Sequence, residues 1–516
     1  MGCDGAAGGG GERMEEDEAG ASTSSSSPPP PIAQLGYDQV LSILRLLPPE
    51  AVLSFAATCR AFRAWASTDA LWEALCRRDW GARATAALAE RRHDRHGGGL
   101  QAPWRRVYAE VARLGALSAR RVPVRGASPR PRASHSLNLV AGWLVLFGGG
   151  CEGDVNWPQI LDAMQTMWIL QETSSDLGVM VMSVLHQVLD FYGGHHLDDT
   201  WVAYAGTGAG NRPPAILSWQ QLASGTPGGR FSHSCTLVGD TLVLFGGITD
   251  QGQRLNDTWI GQIFSEEHRR MRISWRLLEV GPLAPPPRGA HAACCVDEKF
   301  IVIHGGVGLY GSRLGDTWLL DLSNGFQSAS WHQVGNTWPL PPPRSGHSLT
   351  WIGGTRMVLF GGRGSEFEVL NDVWLFDISD QYPKWKELKY DLSSALGELP
   401  FPRVGHSAIL ALGGKVLVYG GEDSQMRRKD DFWILDTPAL LQYESGSKKM
   451  TKKMWKKLRI DGQCPNYRSF HGACVDTSGC CVYIFGGMVD GLVHPAEAWG
   501  LRFDGHLYQV ELLLHL

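Results

Sequence analysis

One pattern recurs six times along this chain of 516 residues. An arginine is followed three residues later by a histidine, then by an apolar run ending in Gly-Gly, then by a tryptophan. The histidines are His135, His233, His291, His347, His406 and His471. The glycine pairs end at Gly149, Gly247, Gly306, Gly362, Gly421 and Gly487, and the tryptophans are Trp201, Trp259, Trp318, Trp374, Trp433 and Trp499. A repeat constrains the whole architecture before any local motif does. From His233 onward the histidines are spaced by about 58, 56, 59 and 65 residues. The first step is about 98 residues, and its surplus lies at 154–192, which has no counterpart in the other copies.

The third copy shows what each unit builds. Its run Phe300-Ile-Val-Ile-His304 is short, apolar and bounded by turn residues, which predicts a buried strand. Gly305 and Gly306 follow where the chain must turn sharply. Asp316 to Asp321 predicts a third strand, and Trp331 opens a fourth. Four short strands make a blade that cannot bury its faces alone, whereas a ring of such blades can. The chain is therefore expected to be mainly β, a six-bladed propeller over 117–516. The sixth copy is degenerate around Trp499, so either 117–124 or 507–514 could supply the closing strand. The N-terminal segment, just before Arg132, is the preferred one, because closure from the other end removes exposed sheet edges.

The repeated elements (Arg-x-x-His-Ser, Phe-Gly-Gly, Asp-Thr-Trp and a later Trp-x-x-Leu) resemble kelch repeats over 130–505. Upstream, Val40, Leu41, Leu44 and Leu47 fall at helical spacing, and Pro48-Pro49 stops that helix and starts another. Val52, Phe55, Ala56, Cys59 and Phe62 mark one face of the second helix, and Asp69 opens a third before Leu71-Trp72. This stretch, 32–80, resembles an F-box, although Gly36 follows Leu35 where that family usually has proline. A helical linker is expected over 81–116. The pairing resembles plant-type F-box/kelch-repeat proteins.

That resemblance implies a non-catalytic substrate receptor of an SCF-type ubiquitin ligase. The F-box would dock a Skp-type adaptor, joined to a cullin scaffold and a RING subunit, through Leu41, Leu44, Pro48, Val52, Leu53 and Trp72. The propeller would hold an unknown target protein and promote its ubiquitination. Loops after each Gly-Gly carry Arg254, Arg313, Arg363, Arg427 and Arg428, a basic mouth suited to an acidic or phosphorylated segment. The alternative is a kelch interaction scaffold with no ligase role.

Composition narrows the field. A net charge of −4 carries no general nucleic-acid signature. Residues 1–31 are Gly/Ala-rich, then acidic, then Ser/Pro-rich, and too polar to pack. The chain shows no signal peptide and no apolar run long enough to span a membrane. Its opening Met-Gly-Cys-Asp-Gly-Ala has alanine where a myristoylation signal wants Ser or Thr. Eleven cysteines without a C-x-x-C pair suit small buried apolar residues in a reducing cell interior, cytoplasm and/or nucleus.

Six histidines at one repeat position argue for one structural hydrogen bond within each blade, six in all, with no metal and no cofactor. The tryptophans are expected to pack blade on blade, and the arginines to satisfy local carbonyls or carboxylates. No copper site of the galactose-oxidase type and no catalytic triad is evident. The lysine-rich run 448–459 reads as either a nuclear address or a solvated edge strand. The apolar segment 154–192 is either a lid or an aberrant insertion. The second reading is preferred, since its removal restores an ordinary blade.

Overall fold

The computed structural model describes residues 35–96, 102–151, 195–206, 215–222, 224–265, 271–335, 338–379, 383–388, 399–444, 454–493 and 498–514. The acidic tail and the segment 154–192 lie outside them, as does much of the lysine-rich run. The chain divides into two compact units, 1–71 and 72–516.

In the first unit, α1 (Tyr37–Leu46) turns Val40, Leu41 and Leu44 inward. The Gly36 N–H donates to Gln39 Oε1 at 3.0 Å, so the helix start is capped without a hydroxyl residue. Pro48 takes the N-cap of α2 (Pro49–Ala56), and Pro49 occupies its first position, where a missing N–H costs nothing. The sequence reads α2 as running on to Phe62. Instead it stops at Ala56, and α3 (Arg60–Ala66) starts afresh with Cys59 Sγ accepting from the Phe62 N–H at 3.4 Å. Cysteine is not a residue that announces a cap. Phe55 and Phe62 still meet across the break, stacked at 4.2 Å.

Next come α4 (Asp69–Trp80), which spans the boundary, α5 (Ala82–His96) and α6 (Trp104–Arg113); Arg92 of α5 lies over the Trp104 ring at 4.4 Å, and α6 packs on α4 through Tyr108. Its ring stacks on Trp80 at 5.0 Å, and its hydroxyl donates to Asp79 at 2.7 Å. Val111 of α6 sits on the propeller. A Cβ at Gly413, in the hairpin turn 412–414, would come within 2.4 Å of Val111 Cγ1. Lys456 closes the end of α6 by donating to the carbonyls of Arg113 and Leu114, at 3.1 and 2.7 Å.

The propeller is built from quartets of antiparallel strands. In the third, Ala292–Val296, Phe300–Val307, Arg313–Asp321 and Ser330–Gln333 lie in that order. The first strands of successive quartets contact one another around a closed ring of six. The quartets do not make six separate sheets. The last two share one eight-stranded sheet, which leaves five main sheets in the ring. The joint is Ala116–Arg121, which pairs antiparallel with Leu507–Leu512 and parallel with Trp455–Gly462. Both candidate closing segments are thus used, 507–512 as third strand and 116–121 as fourth. The strand Trp455–Gly462 pairs with 432–435 through its first half and with 116–119 through its second, and Lys456 and Lys457 in the first half are exposed.

Three belts hold the ring. In the first, a fully buried arginine grips an aspartate of its own blade. Arg288 donates through Nη1 and Nη2 to Asp316 at 2.8 Å each, to the Gly305 carbonyl at 3.0 Å and to the Pro286 carbonyl at 3.0 Å. The same fork recurs at Arg132–Asp199, Arg230–Asp257, Arg344–Asp372 and Arg403–Asp431, as its planar geometry allows. Each aspartate also accepts from the tryptophan two residues on, as Asp316 does from Trp318 at 2.7 Å. The first glycine of each pair is obligatory. A Cβ at Gly305, with φ +64°, would lie 2.6 Å from the Arg344 carbonyl of the next blade.

The second belt is made by the histidines, and it runs between blades rather than within them. His233, His291, His406 and His471 meet the hydroxyls of Ser136, Ser234, Ser348 and Ser407 of the preceding blade at 2.8–3.1 Å. Ala292 takes the serine's place before His347, and there His304 Nδ1 supplies the contact at 3.1 Å. In the third belt, fourth-strand tryptophans pack onto the preceding blade's aromatic position. Trp275 meets Phe147, Trp331 meets Phe245, Trp385 meets His304 and Trp455 meets Phe360, at 5.0–5.4 Å. Third-strand tryptophans join the same interblade cores, as Trp318 does beside Val243 and Phe245.

The sixth repeat is corrected. Trp499 lies on Ala498–Phe503, which pairs with Met488–Val493 as an added hairpin. The true third strand carries Tyr508 opposite Ile484, the register of the other tryptophans. Asp504 is gripped by Arg468 at 2.8 Å, and His506 Nδ1, at 2.5 Å, stands where an indole N–H would.

Candidate functional site

Arg344–Ser345 pairs with Gly364–Arg363, so the segments before each buried arginine and after each Gly-Gly emerge at one end of the ring. The hairpin turn that receives α6 lies at the other end. Among the described residues, α6 thus packs at the end opposite the arginine-bearing loops.

At the arginine-bearing end the residue after Gly-Gly pairs with the start of the third strand. The pairs are Gly150 with His196, Ile248 with Arg254, Val307 with Arg313, Arg363 with Val369, and Glu422 with Arg428. Arg254, Arg313 and Arg428 are thus equivalent positions on three blades, and Arg363 stands one strand inward. The basic mouth is not uniform. Arg363 and Arg428 flank the buried Glu422, at 3.5 and 3.6 Å, and Ser469 donates to the same carboxylate at 2.9 Å. Burial pushes the Glu422 carboxyl above its ordinary pKa, against the pull of Arg428 and Arg363. Arg428 also pairs with Asp490. Arg427 turns out to solvent on Asp423, at 2.9 Å with its side chain 69% exposed.

Arg254 and Arg313 differ. Arg254 Nη1 donates to the Gly252 carbonyl at 2.6 Å, and Arg313 lies over the Phe367 ring at 4.3 Å. Burial first, and Arg363 second, pull the Arg313 guanidinium below its ordinary pKa. The Nε atoms of Arg254, Arg313, Arg363 and Arg428 are all buried without a hydrogen-bond partner among the described residues. In the structural belt, each arginine Nε donates to the carbonyl two residues back. Around the mouth, Leu309, Tyr310, Trp338, Phe401, Met426 and Tyr467 are exposed.

Sequence reasoning missed Glu422, Asp490 and Phe367. The available signal for Glu422 was its place directly after Gly421, where other repeats carry a mouth residue.

Of the helical candidates, Leu41, Leu44, Val52 and Trp72 are buried, while Pro48 and Leu53 are at the surface, joined there by Leu46 at 81% exposure. No helix among the described residues is long and apolar enough to cross a membrane.

Comparison with known proteins accords with this geometry. The family model F-box-like matches residues 37–78, and the KLHDC2/KLHL20/DRC7 Kelch-repeats domain matches 192–362, 325–437 and 386–503. The chain is 45% identical over 497 residues to F-box/kelch-repeat protein At1g51550 of Arabidopsis thaliana, covering 94% of this chain and 93% of that one. It is 30% identical over 473 residues to Adagio-like protein 3 of Oryza sativa subsp. japonica, covering 90% of this chain but 62% of the rice protein. An F-box-like helical segment, a ring of kelch repeats and near full-length similarity lead to one conclusion: the chain belongs to the F-box/kelch-repeat proteins.

Proposed function

We propose that this protein is a substrate receptor of a cullin–RING ubiquitin ligase. Its helices at 37–78 dock a Skp-type adaptor, and the mouth of its propeller holds the target. The observation that carries this reading is the pairing of an F-box-like segment with a propeller whose arginine-bearing end lies opposite the end that receives α6. The chain then contributes proximity and orientation, and ubiquitin passes to the target through the recruited subunits. Leu41, Leu44 and Val52 serve by holding the helices in shape. Exposed Leu46, Pro48 and Leu53 offer the adaptor an apolar contact.

The test is a pull-down of a purified Skp-type adaptor by the full-length chain, with Leu46→Asp and Leu53→Asp as variants. Binding lost in both variants, with unchanged circular dichroism, supports the receptor. A folded wild-type chain that fails to bind the adaptor leaves an interaction scaffold instead.

A further inference from the structure

The mouth is specific about charge. The four guanidiniums of Arg254, Arg313, Arg363 and Arg428 are not equally partnered. Glu422 lies between Arg363 and Arg428, and Asp490 pairs with Arg428. Arg254 and Arg313 make no described ion pair with a carboxylate, and Asp250 of the Arg254 loop is paired with His196 instead. All four arginines keep a buried Nε that donates to nothing described. A buried, unused donor on a cation is costly unless an acceptor arrives. Beside this sector, Leu309 is 53% exposed and Tyr310 fully exposed; Met426, 45% exposed, lies on the fifth blade's loop at the same end.

We propose that the propeller mouth takes a target segment carrying one acidic side chain flanked by bulky apolar residues, its carboxylate seated on Arg254 and Arg313. This deepens the receptor reading and rests on it. Glu422 acts as a built-in counter-charge. By occupying the Arg363–Arg428 sector it turns away a second acidic group. Polyacidic segments are then poor ligands, because the sector that would take their second charge is already filled. The apolar flanks of the ligand bury against the exposed rim, where aromatic and aliphatic side chains supply contact area.

The experiment selects a randomised dodecapeptide library on the immobilised full-length chain, then measures the best peptide by fluorescence polarisation. Enriched peptides are expected to carry one Asp or Glu among apolar residues. Arg254→Ala and Arg313→Ala should each weaken binding by about tenfold or more, and Arg427→Ala should leave it unchanged. Glu422→Gln should admit peptides with a second acidic residue. Enrichment of peptides without an acidic residue, failure to enrich any, or full binding by a folded Arg254→Ala/Arg313→Ala variant overturns the proposal. So does tighter binding when phosphoserine replaces the acidic residue, since a second negative charge has no free partner. Adaptor capture by the same preparations is independent of the mouth, so failure here is distinguishable from failure of the receptor reading.

Discussion

His304→Phe, alone and combined with Ala292→Ser, tests the interblade hydrogen bond directly. Five of the six repeats place an aromatic residue before Gly-Gly: Phe147, Phe245, Phe360, Tyr419 and Phe485. The third has His304, and it is also the repeat in which Ala292 replaces serine. Residues 292 and 304 are cross-strand partners, so the donor has moved from one strand to its neighbour while still reaching His347 at 3.1 Å. His304→Phe alone leaves His347 Nε2 buried without a partner, a cost of about 1–3 kcal/mol. Adding Ala292→Ser recreates the arrangement of Ser348 and His406, which meet at 2.9 Å. The double variant should recover most of the loss, a coupling of about 1–2 kcal/mol. Urea unfolding followed by tryptophan fluorescence reads both. With a slope above about 3 kcal/mol/M for a domain of this size, the single change lowers the midpoint by a few tenths molar. A single variant as stable as wild type, or a double variant no better than the single, refutes the argument.

Acid should weaken the ring. Burial, reinforced by the nearby belt arginines, pushes His233, His291, His304 and His406 down to about 3. Unfolded histidines titrate at about 6.5, so the unfolded chain takes up protons first. Stability is then lost as pH falls below about 6.5 and on toward 3, by about 1.4 kcal/mol per pH unit for each histidine; urea midpoints at pH 7 and pH 5 check it. Arg344→Ala removes a fully buried fork and leaves Asp372 without its ion-pair partner, costing about 3–5 kcal/mol, whereas exposed Arg427→Ala changes stability by less than about 1 kcal/mol; thermal unfolding compares them. Gly472→Ala should cost about 1–3 kcal/mol, because a Cβ there would lie 2.6 Å from His135 Nε2; the same urea series measures it.

The ring was legible because its repeated residues do one job each, and six copies average away local noise. Arg288, Gly305, Asp316 and Trp318 all belong to one interlocked blade, so their spacing is rigid. Trp499 misled for a physical reason. An added hairpin brings a second apolar strand with a tryptophan before Asp504, and Gly505-His506 then delays the true third strand. The histidine partner was misplaced because a sequence shows which residues share a strand and not which blades meet. Mouth electrostatics were least legible. Arg363, Arg427 and Arg428 look alike as letters, yet Glu422, Asp423 and Asp490 give them different environments. That depends on which loops converge, and strand periodicity does not carry it.

The shared eight-stranded sheet makes the ring mechanically uneven. Every junction carries backbone hydrogen bonds near the arginine-bearing end, such as those from the Gly247 N–H to the Arg288 carbonyl at 2.9 Å and from the Ala290 N–H to the Ser232 carbonyl at 2.8 Å. The junction of the last two blades is spanned in addition by a strand ladder through Ala116–Arg121. The last two blades are therefore the most firmly joined pair, and their loops carry Glu422, Arg428 and Asp490. Arg254 and Arg313 stand on two separate sheets, those of the second and third blades. The mouth thus has its acidic counter-charges on joined blades and its Arg254–Arg313 side on unjoined ones.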